Sequence, residues 1–442
     1  MSARPRLSPP RSAGPAVGFV VAMLMAGCSG DGAESAGTPA ASAPGTETSP
    51  DVEPSTATGP DEPTRSTDAN TAPRRSQAEL DLALIDAAWS NDVPRARRLI
   101  AQGADVNAQD ETEQSAYLIA TSEGYLELLE LTLRHGADVS SLDSFNGTGL
   151  IRAAERGHAD IVGRLLQTGI EVDHVNNLGW TALHEAIVLG DGTTTYVDTV
   201  RLLVAGGTDV RIAPRRDGIP PVQHARSAGF GAIATTLQRT LDHRRVPDAN
   251  QALLAAAVSG DADAAALALR AGATFETTDD QRRTSLLLAA THDNLAVARL
   301  LVALGADPDA LDAQHDTPWL VTGITGSVPM LEILLPADPD LMIRNRYGGT
   351  SVIPASERGH VDYVRRVVRT PIDVNHVNDL GWTAILEAVI LGDGSRPYQQ
   401  IVRILIDAGA DPSIPDSEGI TPLQHAQARG YDKLARILRR AD

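Results

Sequence analysis

HVNNLGWTALHEA, at residues 174–186, returns almost unchanged as HVNDLGWTAILEA at residues 376–388. A second phrase also recurs: GHADIVGRLLQTG at 157–169 has counterparts in LAVARLLVALGAD at 295–307 and QIVRILIDAGADP at 400–412. In these phrases the apolar residues lie three or four positions apart, as on one face of an α-helix. A glycine near the end of each phrase is typical of a helix terminus. The chain is therefore predicted to be an array of short helical units.

The two kinds of phrase alternate along the chain and together resemble the ankyrin repeat, which has a period of about 33 residues and the signature T-P-L-H-x-A. GITPLQHA at residues 419–426 is a close match to that signature. The threonine of each signature, such as Thr181 or Thr383, is suited to capping a first helix. The resemblance extends from Leu80 to the C-terminus. It implies an all-α repeat solenoid, in which paired antiparallel helices carry β-hairpin fingers and stack on their neighbours.

The two halves of the chain are also similar to each other, which indicates an internal duplication. Gly103 matches Gly272, 169 residues later, whereas His174 matches His376, 202 residues later. The two offsets differ by 33 residues, which is one repeat, so the second half holds one unit more than the first. We place this extra unit at residues 314–347.

The extra unit is the least regular part of the pattern. Trp319 stands where the signature has Leu, and Leu-Pro-Ala-Asp-Pro at 335–339 stands where a Gly-Ala-Asp hairpin belongs. Pro354 follows shortly afterwards. Two interpretations fit this irregularity, a kink in the stack or a specialised surface.

The duplication predicts two tandem arrays, array 1 at residues 77–241 with about five repeats and array 2 at 250–442 with about six. Between them lies a junction, DHRRVPDA at 242–249, which includes Pro247. The repeat that ends at Leu241 lacks the Gly-Ala-Asp hairpin, and terminal repeats are expected to be atypical because one of their faces meets water. We therefore expect each array to carry its own caps. One continuous superhelix is the other arrangement that the pattern allows.

Residues 1–27 are typical of an export signal, because arginines precede an apolar run at 16–25 and small residues follow it. The run is about half as long as a membrane-spanning helix. It ends in LMAGC, which resembles the bacterial lipobox, and Cys28 is the only cysteine of the chain. We predict a lipoprotein signal peptide, lipid attachment at Cys28, and export to the extracytoplasmic face of the membrane, which is periplasmic in a Gram-negative cell. An ordinary cleaved signal is the alternative.

Residues 28–76 consist mostly of Ala, Gly, Ser, Thr, Pro and acidic residues and cannot bury a core. They predict a disordered, lipid-anchored linker, which we interpret as a spacer in preference to a recognition tract. The net charge of −19 argues against nucleic acid as a partner and against electrostatic adhesion to anionic lipid, since phosphate binding needs clustered Lys and Arg. The lipid on Cys28 is thus the predicted contact with the membrane.

Both halves carry six extra residues between their paired helices, in LGDGTTTYVDTV at Leu189 and LGDGSRPYQQIV at Leu391. Asp-Gly is turn chemistry, so the sequence favours a lengthened loop. A second interpretation is a partner contact through Tyr196 and Tyr398, because an exposed aromatic ring is an effective anchor. A calcium site at either Asp-Gly is disfavoured, since the loops lack the alternating carboxylates that calcium requires.

Trp180 and Trp382 precede the capping threonines, a position that in the ankyrin fold lies at the base of a finger. These tryptophans could pack between neighbouring fingers or bind a partner on the concave face. His174 and His376 lie beside aspartates on the preceding finger. A hydrogen bond in a turn is favoured for them over a metal or catalytic site.

The sequence contains none of the common catalytic or phosphate-binding motifs, so we expect no enzyme activity, no cofactor and no metal. The resemblance implies a binding scaffold. We therefore expect a protein partner to bind the concave face formed by fingers and first helices. The alternative is an accessory or stabilising role beside an envelope enzyme, for example in stress defence.

Overall fold

The computed structural model describes residues 75–214, 218–243 and 247–441. These residues form eleven antiparallel helix pairs, and the all-α repeat solenoid predicted from the sequence is confirmed. The first five pairs are α1 (Gln77–Trp89) with α2 (Val93–Ala101), α3 (Ala116–Glu123) with α4 (Leu126–Arg134), α5 (Gly149–Glu155) with α6 (Ala159–Leu166), α7 (Ala182–Val188) with α8 (Thr194–Ala205), and α9 (Pro221–Ser227) with α10 (Gly231–Asp242).

Six further pairs follow the junction. They are α11 (Ala249–Ser259) with α12 (Ala262–Arg270), α13 (Ser285–Thr291) with α14 (Leu295–Ala303), α15 (Pro318–Thr325) with α16 (Val328–Leu334), α17 (Val352–Glu357) with α18 (Val361–Val367), α19 (Ala384–Ile390) with α20 (Arg396–Asp407), and α21 (Pro422–Ala428) with α22 (Asp432–Leu438). A short 3₁₀ helix, Leu335–Ala337, continues α16. No helix among the described residues is both long enough and apolar enough to cross a membrane.

Side-chain caps and glycines set the length of these helices. The Thr383 hydroxyl accepts a hydrogen bond from the Leu386 amide at 3.3 Å, and Thr317 caps α15 in the same way. Beyond the last turn of α14, Gly305 has a φ of 91°, a left-handed conformation that glycine adopts without strain. The chain then leaves the helix towards the next finger, which is the irregular segment between one pair and the next.

The pairs stack in two parallel rows. First helices pack on first helices, as α3 does on α5 and α5 on α7, while second helices pack on second helices, as α6 does on α8. The interior is aliphatic, and Leu128, Ile161 and Leu203 are fully buried. Burying one such side chain stabilises the fold by about 1.5–3 kcal/mol, and each gains this only because a neighbouring pair covers it.

The irregular unit belongs to the stack. Trp319 is completely buried, as is the Tyr363 ring of the following unit. Helix α16 packs against both α14 and α18, so the row of second helices continues through the unit. The irregular end is confined to Leu335–Ala337 and to Asp338, whose φ is 53°. Trp319 is therefore a core residue and contributes no surface.

The two groups of pairs meet through their second helices. Within the described residues, α11 does not pack on α9 in the way that α13 packs on α11. Instead α12 packs against α8, and α14 packs against α6. The row of first helices is thus interrupted at the junction, whereas α8 is covered on additional sides, and its Leu202, Leu203 and Val204 are all buried.

Buried charges join the two groups. The Arg201 Nε donates to Asp263 Oδ1 of α12 at 2.7 Å, and the Arg299 Nε of α14 donates to Asp198 Oδ2 of α8 at 2.6 Å. The Thr236 hydroxyl also donates to Asp263 Oδ1, at 2.9 Å. Both aspartates are nearly inaccessible to water. Breaking such a pair by removing one partner typically costs about 3–5 kcal/mol, because the other charge stays buried without compensation.

The closest approach between the two groups predicts a steric test. A Cβ on Gly163, inside α6, would lie 2.3 Å from the carbonyl oxygen of Ala303 at the end of α14. We expect Gly163→Ala to lower the free energy of unfolding by about 1–3 kcal/mol, because backbone must move to admit the methyl group. Gly231→Ala is the matched control, since a Cβ there meets no atom within 4 Å. Equal stability of the two variants in urea unfolding followed by circular dichroism would contradict this packing.

Candidate interaction surface

Several fingers are held in shape by one Asn or Asp side chain at the turn. Asn176 Oδ1 accepts hydrogen bonds from the backbone amides of Leu178 and Trp180, both at 3.0 Å. The backbone amide of Asn176 in turn donates to the Trp180 carbonyl at 3.0 Å. Asn378 makes the equivalent bonds to Leu380 and Trp382. In other fingers an aspartate, such as Asp143 or Asp416, occupies this position. The turn is therefore fixed by bonds that the backbone alone could not make.

Four of these residues are paired with a side chain nine positions later, at the first helix of the next unit. The pairs are Asp143 with Arg152, Asn176 with Glu185 at 2.6 Å, Asn378 with Glu387 at 2.8 Å, and Asp416 with His425 at 2.7 Å. Aspartate is matched with a basic partner, and asparagine with a glutamate that accepts its Nδ2–H. These pairs were not predicted from the sequence, although the two Asn–Glu pairs lie inside the phrase that repeats almost unchanged.

Both glutamates lie in an unfavourable electrostatic position. Burial, reinforced by the nearby Glu155 carboxylate, raises the pKa of Glu185 to about 7. Burial and Glu357 likewise raise the pKa of Glu387 to about 7. Arg152 opposes the shift at Glu185, but the equivalent position in the second half is a proline. The hydrogen bond from asparagine lowers both pKa values, though not enough to offset desolvation.

Neighbouring fingers are bonded to each other. The His174 Nε2 lies 2.8 Å from the carbonyl oxygen of Asn146 on the preceding finger, and the Asn177 amide donates to the Phe145 carbonyl at 2.9 Å. His376 makes the equivalent bond to Gly348 O at 2.6 Å. Each histidine ring therefore bonds to the adjacent finger and not to the side chain of the aspartate near it. These bonds connect neighbouring fingers within an array and limit their freedom to move independently.

Exposed apolar side chains concentrate on these fingers. The exposed large residues of the described finger segments are Phe145, Val175, Leu178, Ile219, Leu311, Met342, Tyr347, Val377 and Leu380. A recess of ≈ 690 Å³ also opens between two fingers, lined by residues of 175–179 and by Ile212 and Ala213. Scattered apolar residues are normal on a surface, but a series of them on successive fingers is typical of a binding site.

Trp180 and Trp382 lie at the base of two of these fingers, as expected, and both side chains are half-buried. Their backbone amides and carbonyls take part in the asparagine turns described above. The backbone of each tryptophan is thus fixed, while its side chain stays partly exposed. Packing and partner binding are compatible with this position, and binding by the two rings stays a prediction.

Tyr196 and Tyr398 are not exposed as expected. The Tyr196 hydroxyl donates to the carbonyl oxygen of Glu155 at 3.0 Å, and Tyr398 bonds to Glu357 in the same way. Both rings are half-buried against the turn of the preceding unit. The reason is that the inserted residues lengthen α8 and α20 to 12 residues each, against 8 in α6, which carries each tyrosine over its neighbour.

The Asp-Gly turns before these helices show ordinary turn chemistry. Asp191 Oδ1 accepts from the Thr193 amide at 2.9 Å, and Asp393 Oδ1 accepts from Ser395 at 2.8 Å. Across the described ranges, no three His, Cys, Asp or Glu side chains are arranged to hold a metal ion. Cys28, the export signal and all of the linker except its last two residues lie outside the described residues.

Family models match most of the helical region. The model for ankyrin repeats in three copies matches residues 117–213, 319–416 and 355–442, and the single ankyrin repeat model matches 281–313. Together these matches span more than half of the chain. The chain belongs to the ankyrin repeat family.

Known ankyrin proteins each resemble less than half of the chain. A putative ankyrin repeat protein of Escherichia coli K12, YahD, is 38% identical over 186 residues, which are 42% of this chain and 92% of the relative. A solved ankyrin repeat domain from Acinetobacter baumannii AYE is 44% identical and covers 43% of this chain and 96% of its own, with a TM-score of 0.42. The ankyrin repeat protein EF0377 is 35% identical, covering 44% of this chain and 98% of its own, also with a TM-score of 0.42.

The buried glutamates predict a pH dependence of ankyrin stability. An acid whose pKa rises from 4.5 to about 7 on folding contributes stability below pH 4.5, and this contribution is lost as the pH rises through 7. Between pH 5 and 8 the free energy of unfolding should therefore fall by about 1–3 kcal/mol less in Glu387→Gln than in the unmodified chain. Glutamine cannot ionise, and it keeps the acceptor for Asn378.

Urea unfolding at several pH values would check this effect. Glu185→Gln should behave like Glu387→Gln, and Glu418→Gln, at an exposed finger position, is the control that should follow the unmodified chain. Parallel pH profiles for Glu387→Gln and the unmodified chain would show that the carboxyl group is ionised without cost.

Proposed function

We propose that this ankyrin protein is a protein-binding scaffold. Its interaction surface is formed by the fingers that carry the exposed apolar side chains, here called the finger row, and by the first helices beside them. Ankyrin repeats suggest protein–protein interaction in general, and one observation supports the particular surface. Large apolar side chains are exposed on successive fingers that are already bonded to one another. A surface fixed in this way loses little conformational entropy when a partner binds, so more of the burial energy is available for affinity.

Trp180 and Trp382 are the anchors of the proposed surface. The backbone of each tryptophan is held by the asparagine turn at the base of its finger, and the same turn carries an exposed leucine. Aromatic residues fixed beside apolar neighbours are enriched among the residues that dominate binding energy. Because the surface is duplicated, one chain offers two similar sets of anchors, at Leu178 and at Leu380.

We further propose that the scaffold acts outside the cytoplasm, attached to a membrane through lipid on Cys28. The support is the sequence alone, in which the only cysteine follows an apolar run and a lipobox-like LMAGC. Several acyl chains hold a protein at a bilayer firmly, whereas one chain binds only marginally. An accessory role beside an envelope enzyme stays a prediction of the sequence.

The finger row can be tested by charge insertion. In the full chain, Leu178→Asp with Leu380→Asp should reduce recovery of a crosslinked protein partner from the membrane fraction at least tenfold, because a carboxylate must be desolvated at the contact. The control is Leu189→Asp with Leu391→Asp, off the fingers. The controls are similarly exposed, at 43% and 50%, against 39% and 50% for the finger leucines. Equal loss or equal retention in the two double variants, measured by quantitative mass spectrometry, would remove the finger row from the proposal.

The anchor has its own test. Cys28→Ala should abolish incorporation of labelled palmitate and release the chain from the membrane pellet, since no other cysteine can take its place. Export should continue, because the apolar run is unchanged. Labelling that persists in Cys28→Ala would exclude lipid attachment at this residue, whatever the outcome for the finger row.

A further inference from the structure

Helix α12 docks on array 1 through two aspartates at its N-terminus. The Arg239 guanidinium of α10 donates from Nη1 and Nη2 to the two oxygens of Asp261, at 2.8 and 2.9 Å. The Arg201 Nε of α8 donates to Asp263 Oδ1 at 2.7 Å. The body of α12 is mostly Ala and Leu, and its small side chains allow close packing. The groove between α8 and α10 thus accepts a helix with an acidic start and small apolar residues after it.

Array 2 has an equivalent groove between α20 and α22. Arg403 of α20 matches Arg201 in the aligned phrases VRLLVAGG and VRILIDAG, and Arg440 after α22 matches Arg239. Both arginines line an open groove of ≈ 480 Å³, whose floor includes Ile406 and Ile437. Among the residues that the structure describes, neither arginine makes an ion pair. The two cationic groups that hold α12 in array 1 are therefore repeated without their acidic counterparts.

The charge of this second groove is unusual for the chain. Its lining has four basic residues, Arg403, Lys433, Arg436 and Arg440, and a single acidic one, Asp407. The whole protein carries a net charge of −19. A local excess of positive charge on an acidic protein attracts an acidic partner and orients it before contact.

We propose that the groove between α20 and α22 binds a helix of another protein that begins with two acidic residues and continues with small apolar ones. The acidic residues would pair with Arg440 and Arg403, as Asp261 and Asp263 pair with Arg239 and Arg201. Ile437 stands where array 1 has Thr236, so the second groove offers no hydroxyl to the second acid and makes its contact more apolar. This surface is separate from the finger row.

A second copy of the chain fits this groove poorly. The helix of array 1 that corresponds to α12 is α2, but its sequence VPRARRLIA has Arg95, Arg97 and Arg98 where α12 has Ala, Ala and Leu. Like charges would repel α2 from a groove with four basic residues. Helix α12 itself is already bound within its own chain. The geometry therefore favours a partner with a different sequence.

A helical probe taken from the chain tests the proposal directly. The probe is a stapled, fluorescent peptide of residues 259–272, which contain α12, and binding to the full chain is followed by fluorescence anisotropy. Arg403→Glu with Arg440→Glu should weaken binding at least about tenfold, because both charge-assisted hydrogen bonds become repulsive. Arg439→Glu, an exposed neighbour outside the groove lining, should leave binding within twofold.

Two further probes and one control complete the experiment. The peptide with Asp261→Asn and Asp263→Asn, and a stapled peptide of residues 90–103 that contains α2, should both bind at least about tenfold more weakly. Leu178→Asp with Leu380→Asp should bind the probe normally, which separates this proposal from that for the finger row. No binding, or binding that ignores the groove arginines, overturns the proposal. A dimer in sedimentation that the double glutamate variant dissociates would assign the groove to self-association instead.

Discussion

The burial of helix α8 on several sides is the constraint on which both arrays depend. Within array 1 it lies between α6 and α10, and from array 2 it is covered by α12. Its Asp198 and Arg201 both face α12 or α14, where water is excluded. Buried charges are stable only when each has a partner. The charges of α8 therefore fix the position of α12 and α14, and with them the position of array 2. Leu203 and Val204 supply the apolar contact, and the charges supply the alignment.

In the asparagine turns, the cost of burying a glutamate is set against the hydrogen bond that fixes the conformation of the finger. A buried glutamate weakens the fold near neutral pH, yet Glu185 and Glu387 recur in equivalent positions of the two arrays. Each accepts a hydrogen bond from the asparagine that fixes a finger. An apolar residue in the same place would be cheaper to bury, but it would leave the Asn Nδ2–H without its acceptor. The Oδ1 of the same asparagine accepts from the leucine and tryptophan amides of the turn, so the bond to glutamate orients the side chain that holds both residues.

Local patterns allowed the sequence analysis to predict the repeat unit. Helical periodicity, capping threonines and terminal glycines are set within a few residues, and they gave the all-α solenoid and the bases of the fingers at Trp180 and Trp382. The sequence favoured a lengthened loop before Tyr196, with an exposed ring as the second interpretation, whereas α8 has 12 residues against 8 in α6 and the ring is half-buried on its neighbour. The contact of α12 with α8 could not be predicted, because Asp263 and Arg201 are distant in sequence and belong to units that do not follow one another. The Asn–Glu pairs were visible in the repeated phrase, but their partnership required the three-dimensional turn.

The arginines of α2 have a consequence for assembly. The contact of α12 with the groove of array 1 is heterologous, since different surfaces meet, and repeated between chains such contacts produce open-ended polymers. In this chain α10 ends at Asp242 and α11 begins at Ala249, so the contact is made within one molecule, where the short connection gives it a high effective concentration. Helix α2, the counterpart of α12 in array 1, is basic, so a second copy is not expected to fill the groove of array 2 in the way that α12 fills the groove of array 1.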